Sequence, residues 1–198
     1  MITIEREYAS GGNEIGKRLA KELGYKFYDR NILMEAAKNL GTPAIYIENL
    51  EETSSGGFLF NLSKTPLGGV NQDDSKLPMA EKLFLEEKRI VEKIAEEGNC
   101  VIVGRAAGYI LRERNDCLGV FICADKKVRM DRAVESEGVK REDADNTLKK
   151  NDKRRSGFYE SVTKWKWGNP NFFEICLDSG KLGIELCTQI LVQAVSKN

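Results

Sequence analysis

The chain of 198 residues contains no histidine. That absence removes the Ser-His-Asp and Cys-His arrangements, the H-E-x-x-H zinc site and any imidazole general base. Chemistry is left to carboxylates, lysines and arginines, backbone amides and a hard metal ion. Net charge is lacking too. The 31 Lys+Arg balance 31 Asp+Glu, so no overall field draws nucleic acid or an anionic membrane. No apolar run reaches spanning length and no signal-peptide pattern is seen, so a cytoplasmic protein without membrane partners is expected. The five cysteines, Cys100, Cys117, Cys123, Cys176 and Cys187, make no C-x-x-C pair. Cys100, Cys123 and Cys176 lie in apolar runs, where a thiol acts as a small hydrophobe. Reduced core thiols are expected rather than disulfides, and a metal role lacks both histidine and ligand spacing.

What is present has the size of one domain, able to bury roughly 70% of its unfolded surface without staples. Five short apolar runs read as buried parallel strands: Ile2–Glu5, Lys26–Asp29, Cys100–Gly104, Leu118–Ala124 and Phe172–Asp178. Helical patterns separate them. Ile15, Leu19 and Leu23 share one face, as do Leu83, Phe84, Ile90, Val91, Ile94 and Ala95. The last helix carries Leu182, Leu186, Ile190 and Val195. This alternation predicts a three-layer α/β fold. The stretch from Glu48 to Pro78, rich in Ser, Gly, Asn and Asp, fits neither template and is expected to be a mobile insertion in the single domain.

The first thirty residues have the layout of a phosphate-binding loop: strand ITIE, loop REYASGGN, helix EIGKRLAKELG, strand YKFYD. Backbone amides at such a helix start face an anion. Against G-x-x-x-x-G-K-[ST], the chain places Arg6 at the first Gly, Gly12 at the Lys and Asn13 at the Ser/Thr. Amides of Gly11, Gly12, Asn13 and Glu14, with the Ser10 hydroxyl, form the candidate cradle. The alternative is a plain strand–turn–helix corner capped by Ser10 or Asn13.

Asp29 ends the second strand, where open α/β sheets bind ligands, and would hold a substrate hydroxyl or a Mg²⁺-bound water, or cap the next helix. Arg105 follows the apolar third strand in CVIVGR, placed to clamp a phosphate bidentately or to make a surface ion pair. Arg129 and Arg132 sit three apart and face one way. In Lys149–Arg155 five of seven residues are basic, as phosphoryl transfer requires and as a solvated helix face also shows. Nucleic acid could use that run, but no aromatics interleave it and none is expected as a partner. Trp165, Trp167, Phe172 and Phe173 flank a turn and are expected to pack there rather than stack on a base.

Taken in order, I-T-I-E-R-E-Y-A-S-G-G-N-E-I-G-K, F-Y-D, V-I-V-G-R-A-A, N-D-K-R-R-S-G-F-Y-E, K-W-K-W-G and F-F-E-I-C-L-D-S-G-K-L-G-I resemble the cytidylate kinase-like family of P-loop nucleoside monophosphate kinases, over nearly the whole chain. The resemblance implies a five-stranded parallel sheet of order 2-3-1-4-5 with an Arg-bearing helical lid. It implies an ATP- and Mg²⁺-dependent phosphotransferase acting on a small nucleotide, CMP or dCMP. Ser10, Gly11, Gly12, Asn13 and Glu14 would bind ATP phosphates, and Asp29, Arg105 and Asp152 the acceptor. Arg129, Arg132 and Arg155 would be catalytic, and the resemblance assigns no metal ligands. Cytidylate kinases carry Lys, Asp and Arg where this chain has Gly12, Ala106 and Glu35; the kinase-like branch shares the missing Lys, and many of its members have Arg at Asn13. The departures support a second reading, a non-catalytic nucleotide-binding or sensor protein on the same fold. Arg6, a lid residue or, last, Lys17 are the candidates to replace the missing cation.

Overall fold

The computed structural model describes residues 1–43 and 77–196. The Glu48–Pro78 insertion expected from sequence lies almost wholly outside them. Five strands, β1 (Ile2–Arg6), β2 (Lys26–Tyr28), β3 (Cys100–Val103), β4 (Leu118–Cys123) and β5 (Ile175–Asp178), form one sheet of order β2-β3-β1-β4-β5. Every pairing is parallel. β1 is central, with Ile4 opposite both Val103 and Val120.

Seven α-helices are formed by the described residues: α1 (Gly12–Leu23), α2 (Asn31–Asn39), α3 (Met79–Glu97), α4 (Ala107–Ile110), α5 (Lys126–Glu137), α6 (Ala144–Thr163) and α7 (Ser179–Ser196). One face of the sheet is covered by α1 and α7 through Ile15, Leu19, Cys187 and Leu191. The other is covered by α2, α3 and α4 through Leu33, Ala36, Val91 and Ala107. Apolar runs such as CVIV are buried on both sides because each face has its own helical layer. A third cluster, around Phe84, Tyr159 and Val162, joins α3 to α6.

Three expectations need correction. The fifth strand begins at Ile175, not Phe172, because Pro170–Phe172 form a 3₁₀ turn capped by the Asn169 side chain. Leu182 and Leu186 do not face the core but are exposed, and Cys187, Thr188 and Leu191 are buried instead. Gly183, at φ 77 and ψ 162, breaks α7 after its first turn, so the two parts are out of phase. Cys176 is exposed, because β5 is an edge strand and Cys176 points away from the face that buries Leu177. All five thiols are free. The aromatic residues after α6 pack on one another: Trp165 stacks on Phe172 at 4.5 Å, and Phe121 meets Trp167 and Phe173.

Helix α1 lies close on the sheet at Gly16. A Cβ there would stand 2.9 Å from Val103, 3.2 Å from Phe27 and 3.3 Å from Ile4, on three different strands. Overpacking costs about 1–3 kcal/mol, whereas Ala over Gly returns up to about 1 kcal/mol of helix propensity. Gly16→Ala is therefore expected to lower the urea midpoint, by a net loss of up to roughly 2 kcal/mol when the full propensity gain is returned. An unchanged midpoint would mean that α1 can move off the sheet.

Candidate active site

The loop from Arg6 to Gly11 turns sharply, and its carbonyls bind backwards into the protein. Ser10 donates its amide and hydroxyl to the Glu7 carbonyl at 3.3 and 2.9 Å. Ala9 and Gly11 take left-handed φ values of 56 and 79. The Tyr8 carbonyl accepts from Arg129 at 3.3 Å. The Ser10 carbonyl accepts from Arg132 at 2.9 Å and from the Ser179 hydroxyl. With the carbonyls held from behind, the amides of Gly12, Asn13 and Glu14, the first three of α1, have no helical carbonyl before them to bond. A cavity of about 250 Å³ opens on Gly11–Glu14, walled by Tyr8, Arg132 and Arg155.

This placement sorts the residues expected from sequence. Ser10 is fully buried and spends its hydroxyl on Glu7, so it braces the loop from inside. Arg129 is buried between Glu7 at 3.4 Å and Asp152 at 2.6 Å. Asp152 also accepts the Tyr8 amide at 2.7 Å. Together they clamp the loop from behind. Arg132 reaches Ser10, Ser179 and the cradle wall. Lys17 is exposed, over the Phe27 ring at 5.8 Å, and does not line the cradle.

A second cavity, of about 420 Å³, opens at the carboxyl ends of β1, β2 and β3. Five arginines and three carboxylates line it. Asp29 and Arg30 follow β2, Arg105 follows β3, and Arg154 and Arg155 come from α6. Arg6, Glu5 and Glu137 complete the charged set. Asp29 and Arg105 are thus brought together, whereas Asp152 lines neither this cavity nor the cradle.

Arg105 is presented by strained backbone. Gly104, Arg105 and Ala106 have φ values of 84, 62 and 52 in succession. Two non-glycine residues in this region cost on the order of 1–2 kcal/mol each. The surroundings hold them there. The buried Glu5 carboxylate accepts the Ala106 amide at 3.2 Å. Arg105 pairs with the buried Glu87 at 2.6 Å and lies over the Phe158 ring at 4.4 Å. Burial raises the Glu5 pKa, opposed by the charges of Arg6 and Arg155 and by the Ala106 amide. Burial, with Arg6 nearby, pushes Arg155 down to about 9, which leaves it a cation at neutral pH. It donates to the Arg6 carbonyl at 3.1 Å and lies over the Tyr8 ring at 5.5 Å.

The basic run does not act as one face. Lys149 turns to Asp145, whereas Arg154 and Arg155 turn into the larger cavity.

Residues 1–181 match the cytidylate kinase-like family. The chain belongs to that family. An uncharacterized protein from Eubacterium ventriosum is similar in structure, with a TM-score of 0.75, 26% identity, and 100% of this chain and 98% of that chain covered. The shikimate kinase of Bacteroides thetaiotaomicron has a TM-score of 0.56 at 14% identity, covering 98% of this chain and 97% of that one. That of Acinetobacter baumannii, solved with shikimate, has a TM-score of 0.54 at 14% identity, covering 100% and 93%. These two likenesses concern the fold. No curated protein matches.

Within the cytidylate kinase-like family this chain has its own details. Ala106, where cytidylate kinases have Asp, is fully buried in the aromatic cluster of α6 and offers no polar group. Glu35 is exposed on α2. Glu5, Glu137, Arg30 and Arg154 line the larger cavity although none of them has a role assigned from sequence. Glu5 carried a readable signal: a carboxylate within an otherwise buried central strand. Among the described residues no helix is long and apolar enough to cross a membrane.

Proposed function

We propose that this protein is an ATP-dependent phosphotransferase of nucleotide-kinase type. The cradle at Gly11–Glu14 takes the donor phosphates, and the arginine-lined cavity takes a phosphorylated acceptor, CMP or dCMP by family resemblance. One observation carries the reading: the two cavities share a wall made of Arg6, Asn13, Glu137 and Arg155. A phosphoryl group moving between them passes two guanidinium groups. Phosphoryl transfer needs little more than position and positive charge, so a chain without histidine loses nothing essential. An acceptor phosphate oxygen forms the new bond to the γ-phosphorus, the bond to the bridging oxygen breaks, and ADP leaves. Arg155 faces the group in flight. Arg105 and Asp29 orient the acceptor. Arg129, Arg132 and Asp152 keep the loop amides aimed.

Mg²⁺ binds through few protein oxygens and completes its shell with water and phosphates. Asp29 and Asn13 are hard oxygen donors lining one cavity and fit that demand. Among the described residues no group of three His, Cys, Asp or Glu side chains could hold a metal. When bound, the ion neutralises charge on the β- and γ-oxygens. Free thiols throughout fit a reducing cytoplasm.

Gly12 favours a second reading, nucleotide binding without turnover. ADP release is to be measured with ATP, Mg²⁺ and a panel of nucleoside monophosphates, beside thermal shifts with the same ligands. ADP formed with one acceptor is the expected result and names the substrate. Stabilisation without ADP selects the sensor, and neither signal removes both readings.

A further inference from the structure

The two departures of the loop from G-x-x-x-x-G-K are one substitution in space. A Cβ on residue 12 would stand 2.6 Å from the Arg6 Cβ and 2.9 Å from its Cγ. The stem of Arg6 thus fills the volume where a lysine at 12 would begin. The same side chain then runs over Gly104, where any Cβ would collide with Arg6 Nη1. Glycines at 12 and 104 make the channel, and Arg6 lies along it from the end of β1.

The head of Arg6 has the carboxylates of Glu5 and Asp29 nearby but pairs with neither. Its Nε is buried with no hydrogen-bond partner, and among the described residues no carboxylate lies within ion-pair distance. Burial lowers its pKa, as do Arg105 and Arg154, while Glu5 and Asp29 oppose them. A buried guanidinium with unspent donors is costly unless an anion completes it. Arg6 also lines both cavities.

We infer that Arg6 is the relocated cation of the phosphate loop, reaching the junction from β1 instead of α1 and gripping the terminal phosphates of the donor nucleotide. The inference deepens the phosphotransferase reading and rests on it for the identity of the donor. It adds a difference of kind. A guanidinium offers a planar fork for two phosphate oxygens, where a lysine offers a point charge.

The test uses the full chain and inorganic tripolyphosphate, titrated calorimetrically, with ADP release measured in parallel. Arg6→Gln keeps the stem and is expected to weaken tripolyphosphate binding roughly ten- to hundredfold, the effect of losing charged hydrogen bonds. Gly12→Lys alone is expected to melt at lower temperature and bind weakly, because two side chains compete for one volume. Arg6→Gly combined with Gly12→Lys is expected to regain both melting temperature and binding. Wild-type binding of tripolyphosphate by Arg6→Gln would overturn the inference, as would a double variant no better than Gly12→Lys. No tripolyphosphate binding by the wild-type chain also overturns it. Arg6-dependent binding without ADP release leaves the inference standing and removes the kinase. ADP release undiminished in Arg6→Gln leaves the kinase standing and removes the inference.

Discussion

Arg155→Ala is expected to lower the turnover number for ADP release at least tenfold, and by roughly a hundredfold if it acts as one preorganised donor to the transferred group. The side chain stands in the wall between the loop cavity and the larger cavity, anchored at 3.1 Å on the Arg6 carbonyl. A donor fixed before the reaction needs no reorganisation when charge spreads over the equatorial oxygens. The loss should fall on kcat more than on KM for the acceptor, because Arg105 and Asp29 remain. Unchanged turnover would take α6 out of the mechanism. The effect on folding is a balance, since the cation's attraction to Asp152 and Glu5 is lost together with its repulsion from Arg6 and Arg154.

Glu87→Ala is expected to give the largest loss of stability. The Glu87 side chain is 1% exposed and holds Arg105, itself 16% exposed, at 2.6 Å. Removing one partner of a buried pair costs about 3–5 kcal/mol, and the lower figure applies here because Arg105 lines an open cavity and is itself partly exposed. About 3 kcal/mol lowers the melting temperature of a chain this size by roughly 6–12 °C. Heat or urea unfolding reads it directly. A fall below about 1 kcal/mol, typical of an exposed pair, would show that Glu87 does not anchor the strained turn. Glu87 has no role assigned from sequence, although it is a carboxylate on the apolar stripe of α3, four residues after Leu83 and four before Val91.

Where periodicity ran unbroken, sequence and structure agree. The alternation of apolar runs with 3.6-residue patterns located all five strands and the packed faces of α1 and α3. It misled at α7, because one glycine resets the phase and no propensity reports by how much. It misled at Cys176, because an edge strand has the composition of a buried one. The strand order came from family resemblance, since apolar runs do not say which neighbours pair.

Sequence alone determined the kind of chemistry. The absence of histidine leaves carboxylates, lysines and arginines, backbone amides and a hard metal ion, and the glycine loop after a strand with the arginines after β3, β4 and within α6 is what the proposed anion-binding role rests on. Which arginine does what was decided only by the tertiary structure. Arg129 and Asp152 brace the loop, whereas Arg6 and Arg155 face the junction. A charged side chain takes its role from the partner that desolvates and orients it. Here those partners are far apart in the chain: Tyr8 and Asp152 are separated by 144 residues, and Arg6 and Arg155 by 149. The exchange of side-chain volume between residues 6 and 12 depends likewise on the turn between them, and only the folded chain brings those two positions face to face.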